Sequence, residues 1–408
     1  MVGSGVIGTA CAYYLMRSGW KVTIIDRGAL AGGSSHANCG FVCPSHILPL
    51  AEPGMVGQAL RSLLKRNSPF AIKPRLDPAL WSWLLKFARR CNERDMIEGG
   101  RGIQPLLLSS LELYRELVRD ESLDCEFEER GMLFAYRDKQ ALEAYAVTDR
   151  LMTETFDCPA RRLDADELLA MEPALKPGLA GGWYYHEDAH LRPDKLMKAW
   201  HQLLERHGVA TRANCPFEEF EGRNGRAVGI ATAEDSLAAD VFIIAAGAWT
   251  PRFNQQVGCS IPIQPGKGYS LTMPRPSVCP RIPLIFPETR VAVTPFQSGY
   301  RLGSTMEFAG YDESIRPERL QLLKDGAAPY LREPYCDPVE ERWYGWRPMT
   351  YDSVPIIDRS PRYDNVYIAA GHNMLGLSMA PATGKLMAEL VNGAAPHVDP
   401  KPYRVGRF

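Results

Sequence analysis

Apolar residues at Ile7, Cys11, Tyr14 and Leu15 recur at the spacing of one helical face, and Val22 to Ile25 is a short buried run. Gly19 separates the two, so the chain opens with helix, turn and strand. The same three-to-four spacing predicts helices over Leu106 to Arg119, Arg161 to Met171 with Asp164 as cap, Pro193 to His207, Pro317 to Lys324 and Leu377 to Val391. Pro193 suits a first helical turn, while Gly208 and the Asn392-Gly393 pair suit helix ends. Glu129 to Tyr136 reads as a strand. Short apolar runs at Val209 to Arg212, Val228 to Thr232, Val241 to Ala245 and Val366 to Ala369 read as strands of a sheet shared with Val22 to Ile25. Between Ile261 and Gly310 the period changes to two, in Tyr269 to Met273, Arg290 to Thr294 and Tyr300 to Gly303, with prolines punctuating it. That predicts an antiparallel sheet inserted between two α/β blocks.

The first helix is preceded by chemistry. Gly3, Gly5 and Gly8 form G-x-G-x-x-G, Val6 and Ile7 start the helix, and Asp26 with Arg27 stands at the tip of the following strand. Glycines permit a tight turn and close backbone approach to a pyrophosphate, the helix N-terminus offers free N–H groups, and Asp26 can accept from a ribose hydroxyl. A polar loop, Gly32 to Gly40, follows at the strand ends where ligands bind. The fold expected is therefore α/β plus antiparallel β. A discontinuous Rossmann-like domain of residues 1–54, 193–258 and 345–408 encloses a mixed α+β substrate-binding cap of residues 55–192 and 259–344; 408 residues suit such a division at about 150 per domain. One element is short: only Met1 and Val2 precede Gly3, whereas central parallel strands run to about five residues. The expectation is that the natural chain starts a few residues upstream, and that this one leaves ladder partners unpaired and binds its nucleotide weakly.

A net charge of −1 and a pI near 6.7 argue against a nucleic-acid binder. The longest apolar run, around Val241 to Trp249, falls far short of the ~20 residues of a spanning helix, and no signal peptide precedes the nucleotide motif. Ten scattered cysteines read as reduced thiols in a cytoplasmic protein. Residues 55–95 interleave Arg61, Lys65, Arg66, Lys86, Arg89 and Arg90 with Leu60, Leu64, Trp81, Trp83, Leu84 and Leu85. The preferred reading is a helical cap with solvated charges; the alternatives are a helix on an anionic membrane surface, the inner face in a bacterium, or a contact for a partner protein. His186-Glu187-Asp188-Ala189-His190 matches the zinc-peptidase pattern H-E-x-x-H, but strand-like residues before it and Pro193 after it deny it a helix, so no metal is assigned and structural histidines are expected.

Three further segments stand out: Gly266-Lys267-Gly268-Tyr269 opening the inserted sheet, Gly345-Trp346-Arg347-Pro348 before a turn, and Gly371-His372-Asn373-Met374-Leu375-Gly376 joining the last strand to the last helix. With these and the opening fingerprint, the chain resembles flavin-dependent amine oxidoreductases of the D-amino-acid oxidase superfamily, closest to bacterial D-amino-acid and D-hydroxyproline dehydrogenases. The resemblance implies non-covalent FAD. Gly3, Gly5 and Gly8 would hold its pyrophosphate, Asp26 its ribose, and Ser34, Ser35 and Asn38 would follow it toward the flavin. Phe217 would meet adenine through its backbone, Ala246, Gly247 and Trp249 would join the cofactor-binding set, and Gly371, His372, Leu375, Gly376, Leu377 and Ser378 would lie along the ring. Arg347 would pair bidentately with a substrate carboxylate, with Tyr269 and Lys267 beside substrate or flavin. Ser353 and Asp358 stand where related sequences commonly carry glycine, so the turn there is expected to depart from theirs. The activity implied is dehydrogenation of a D-amino or cyclic imino acid by hydride transfer from Cα to flavin N5, with a quinone or electron-transfer protein as acceptor; an O₂-using oxidase of the same fold is the alternative, and a zinc peptidase on His186 and His190 a remote one.

Overall fold

The computed structural model describes residues 1–63 and 68–408; Leu64, Lys65 and Arg66 of the basic segment lie outside the described residues. Parallel pairing joins Ala210–Arg212 to Thr23–Ile25 and Phe242–Ile244 to Val366–Ala370, with Ile356–Arg359 antiparallel at the end. Val2 links the two halves through parallel bridges to Ile25 and Ile244. Its N–H donates to Ile243 O at 2.8 Å, its carbonyl accepts from Ala245 N at 2.8 Å, and Met1 O accepts from Ile25 N at 2.9 Å. Two residues thus satisfy the central ladder on both sides, contrary to the unpaired partners expected. Because these strands are parallel, Gly3, Asp26, Ala245 and Gly371 all emerge at one edge of the sheet.

Over this sheet lie helices Val6–Arg17 and Gly376–Asn392. They cross closely at Gly384, where a Cβ would stand 2.5 Å from the carbonyl carbon of Ala10. Val6, Ala10, Leu15, Trp200, Leu377 and Leu386 share one buried core with helix Glu93–Asp120. The pattern predicts this last helix only from Leu106, because Gly99, Gly100, Gly102 and Pro105 are poor helix formers. Packing overrides propensity there: a Cβ on Gly100 would meet the Phe156 ring at 2.6 Å, and one on Gly102 would crowd Pro402 and Val354.

The inserted sheet is nine-stranded and mixed. Its antiparallel centre runs Glu341–Thr350, Ile263–Met273, Gly299–Phe308, Val291–Phe296 and Leu284–Phe286, and Met132–Tyr136 continues it in parallel. Leu133, Leu271, Phe286 and Leu302 form its core with Leu320 and Leu323 of helix Pro317–Ala327. Three expectations change. Val228 to Thr232 lies in a separate three-stranded antiparallel sheet between Ser236–Ala238 and Phe217–Arg223. Arg161–Leu163 is an edge strand, and the helix begins after it at Ala165 behind an Asp164 capping box. Arg347 and Pro348 sit inside strand Glu341–Thr350, not before a turn, so the boundary drawn at residue 345 cuts through that strand. Pro348 faces Pro265 across the ladder, a position where neither residue needs an N–H.

Helices Met55–Leu63 and Pro78–Arg90 cover the outer end. Asp77 caps the second by accepting from Ala79 N and Leu80 N. Leu80 and Trp83 bury against Phe308 and Met349, while Leu60, Trp81 and Leu85 remain exposed. Among the described residues no helix is long and apolar enough to cross a membrane.

Candidate active site

A cavity of about 1790 Å³ runs from the parallel sheet's carboxyl edge to the inserted sheet. At the edge of the parallel sheet, Gly3 has φ +105°, and a Cβ there would lie 2.4 Å from Ala245 O. Gly8 does not line the cavity: a Cβ on it would strike Gly3 O at 2.0 Å, so it brings the helix against the turn. Gly5, the residue before the helix, offers no side-chain cap, and Gly5, Val6 and Ile7 face the cavity. Asp26 is fixed beside them. Its Oδ2 accepts from Ser4 N at 2.8 Å and Ser4 Oγ at 2.7 Å, and Oδ1 from Gly28 N at 3.0 Å. Ser4 is a member of this network that the glycine spacing hid, since it is an unspecified position in the motif.

The polar loop folds on itself and turns its backbone to the cavity. Asn38 Nδ2 donates to Ser34 O at 3.1 Å and Ser35 O at 3.3 Å, while its Oδ1 accepts from Gly40 N at 2.9 Å. Ser35 Oγ accepts from Val6 N at 2.9 Å, and Ser34 Oγ donates to Trp346 O. Arg27 lies 3.8 Å over the Trp249 ring, which meets Trp346 edge-on. Phe217, Ala246 and Gly247 line the same side. A glycine turn, a helix N-terminus, a fixed acid and an elongated groove fit an adenine dinucleotide.

Farther along the same edge, Gly371 has φ +76°, with Thr350 Cγ2 2.6 Å from where a Cβ would stand. His372, Leu375, Gly376, Leu377 and Ser378 follow along the wall. His372 Nε2 pairs with Thr383 Oγ1 at 3.0 Å, and burial pushes the imidazole down to about 3, so it is neutral. Ser378 Oγ donates to Phe41 O at 2.8 Å and accepts from Cys43 N, tying the helix start to the loop below.

Arg347 reaches this chamber from the middle of its strand. Its Nη1 donates to Thr305 O at 2.9 Å, and among the described residues no carboxylate pairs with it. Burial is the main influence on the guanidinium and acts against its charge, which raises the worth of an anionic ligand. Gly268 makes room for it: a Cβ there would lie 2.3 Å from Arg347 Nη1. His46, Phe134, Tyr136, Tyr145, Ile285 and Ala292 close the opposite side, with Tyr145 and Tyr185 hydroxyls 2.9 Å apart. These residues come from three separated segments whose alternation carries no signal of a site.

Two residues expected beside substrate or flavin are placed otherwise. Lys267 does not line the cavity; its Nζ donates to Asp312 O at 2.6 Å and Ser314 O at 2.5 Å and lies over Tyr344. Strand alternation explains this, since its neighbours Gly268 and Gly266 face the other way. Tyr269 touches the cavity, yet its hydroxyl is bound to Glu307 Oε2 at 2.9 Å. The H-E-x-x-H pattern is not helical. His186 is exposed and pairs with Glu187, whereas His190 is buried on a strand opposite Phe41, its Nε2 at 3.2 Å from Pro295 O.

The family model described as DAO, FAD dependent oxidoreductase, matches residues 1–390. A D-amino acid dehydrogenase from Methylobacterium nodulans is 33% identical over 414 residues, covering 98% of this chain and 96% of that protein. One from Xanthobacter autotrophicus is 32% identical over 424 residues, covering 100% and 98%. The glycine oxidase structure from Geobacillus kaustophilus superposes with a TM-score of 0.81 at 21% identity, covering 100% and 97%.

Proposed function

Because the chain belongs to the DAO family of FAD-dependent oxidoreductases, we propose that it dehydrogenates D-amino acids or cyclic imino acids held by their carboxylate on Arg347. Bound FAD would supply the oxidising chemistry, accepting the hydride that leaves the substrate α-carbon. The observation that carries the substrate reading is the half-buried guanidinium, without an acidic partner among the described residues, in the chamber that the last strand and helix share. A bidentate carboxylate there fixes the α-carbon in position and orientation. The positive charge and the aromatic wall disfavour a cationic amine, so the amine binds neutral and needs no protein base. The same wall excludes water until the imine forms; hydrolysis then gives the oxo acid and ammonia, or releases a cyclic imine.

Gly3, Gly5, Val6, Ile7, Asp26 and Arg27 take the adenosine and pyrophosphate half of the cofactor, with Ser34, Ser35, Asn38, Phe217, Ala246, Gly247 and Trp249 along it. Gly371, His372, Leu375, Gly376, Leu377 and Ser378 take the flavin half. The positive N-terminal end of helix Gly376–Asn392 opens at the cavity and would favour negative charge on the flavin half of the cofactor.

A D-amino-acid panel including cis-4-hydroxy-D-proline, assayed by dye reduction, tests the substrate class. Arg347→Ala is expected to lower kcat/KM by roughly a hundredfold, about 3 kcal/mol, mainly through KM, with the flavin spectrum retained. Unchanged kinetics would sink the assignment. For the acceptor we favour a quinone or electron-transfer protein over O₂; stoichiometric peroxide in air would reverse that choice. A cytoplasmic location, with residues 55–95 facing a membrane or the acceptor, completes the reading.

A further inference from the structure

One cluster in the cavity wall has side chains with no part in the proposed reaction. Cys43, His46 and Asp188 place a thiol sulfur, an imidazole nitrogen and a carboxylate oxygen within 4.8 Å of one another. The first two come from the turn Cys43-Pro44-Ser45-His46, and Asp188 from the turn between strands Gly181–Tyr185 and Ala189–His190. Asp188 is wholly buried, and among the described residues no cation pairs with it. Among the described residues its carboxylate is held only by Ser45, which donates through N–H to Oδ1 at 3.0 Å and through Oγ to Oδ2 at 2.5 Å. Each oxygen keeps a free lone pair. The Cys43 thiol has no hydrogen-bond partner among the described residues, and His46 has only a long 3.4 Å contact from Nδ1 to Ser45 Oγ. A buried acid without a counter-charge, beside two uncommitted soft donors, is an arrangement that a cation would complete.

We propose that Cys43, His46 and Asp188 form a binding site for one borderline divalent transition-metal ion, of the zinc or cobalt type, with a coordination position open to the cavity. Sulfur and imidazole nitrogen select against magnesium and calcium, which take oxygen ligands. Three protein ligands with a vacant fourth position is the tetrahedral pattern of an accessible site. On binding, the Cys43 S–H bond is replaced by a metal–sulfur bond, and the thiol proton leaves to solvent together with any proton on the Asp188 carboxyl; thiolate and carboxylate then balance the ion's two charges. Cys43 and His46 line the cavity while Asp188 lies behind them, so the ion enters from the substrate side. Ser45 acts behind the ligands, orienting the carboxylate. The neighbouring zinc-peptidase pattern is a coincidence of sequence: of its residues, only the unspecified Asp188 joins the cluster.

The test uses the FAD-loaded enzyme, treated with chelator, exchanged into chelator-free buffer and titrated with Co²⁺. The expected result is a cobalt–thiolate charge-transfer band that saturates at one equivalent per chain. Cys43→Ser should remove the band, and Ser45→Ala should weaken cobalt binding by roughly 10–100-fold. Both variants should keep the bound-flavin spectrum. No charge-transfer band in the wild-type protein would overturn the site, as would a band undiminished in Cys43→Ser. The readout is independent of turnover, so it stands apart from the substrate assignment.

Discussion

Arg347 owes its place to a residue with no side chain. Its guanidinium occupies the volume that a Cβ on Gly268 would need, 2.3 Å from Nη1. A backbone atom could not yield there, but the end of an arginine can, so Gly268→Ala should shift the guanidinium and leave the strand intact. The expected outcome is a fall in kcat/KM of roughly 10–100-fold with normal flavin binding; unaltered kinetics would show that the guanidinium has room to spare. His372 gives a second prediction. In the unfolded chain it takes a proton below its ordinary 6.5, but in the fold only below about 3. Protons therefore favour unfolding, and stability falls as pH drops from 6.5 toward 3, by at most about 1.4 kcal/mol per unit. His372→Gln removes this term. Denaturant titrations should show the wild type losing roughly 1.6 kcal/mol relative to the variant between pH 6.5 and pH 5; a constant difference would mean that the ring takes up its proton in the fold as readily as in the unfolded chain.

The two helices that begin at the cavity, proposed to hold the cofactor, depend on each other. Gly384 lies against Ala10, where a Cβ would meet backbone carbon at 2.5 Å and oxygen at 2.6 Å. Backbone cannot turn aside, so Gly384→Ala must separate helix Gly376–Asn392 from Val6–Arg17. About 1–3 kcal/mol of stability should be lost. FAD should also leave more readily on dialysis, because both helices begin at the cavity. A lower Tm with unchanged FAD retention would show that the cofactor does not sense the crossing. Helix Glu93–Asp120 teaches the complementary lesson. Its second half was legible from amphipathic spacing; its first half was not, because the glycines that weaken it locally are the ones that admit Phe156, Val354 and Pro402.

Across the whole molecule, the cavity extends past Arg347 to the helices that carry the exposed Leu60, Trp81 and Leu85. Arg61, Lys86, Arg89 and Arg90 lie on the same two helices. Apolar residues among basic ones suit an anionic lipid surface better than a neutral one. Sedimentation with vesicles should therefore retain the enzyme on phosphatidylglycerol and not on phosphatidylcholine, and Trp81→Ser with Leu85→Ser should release it. Equal recovery from both lipids would return this face to the plainer role of a solvated cap.

What the sequence determined alone was whatever depends on neighbours along the chain. Gly3, Gly5, Gly8 and Asp26 lie within one strand–helix–strand unit, so their spacing announces a nucleotide turn, and Asp164, Gly208 and Gly393 mark helix ends by local rules. Arg347 and the Gly371 segment were legible by resemblance rather than by spacing. The tertiary structure alone decided what depends on register and close approach. It turned Lys267 away from the chamber and Arg347 into it, because alternate strand residues face opposite ways. It placed Val2 between Ile25 and Ile244, where a stretch too short to predict as a strand satisfies a central ladder. It brought Asp188 to Cys43 and His46, residues distant in sequence whose meeting no local pattern encodes.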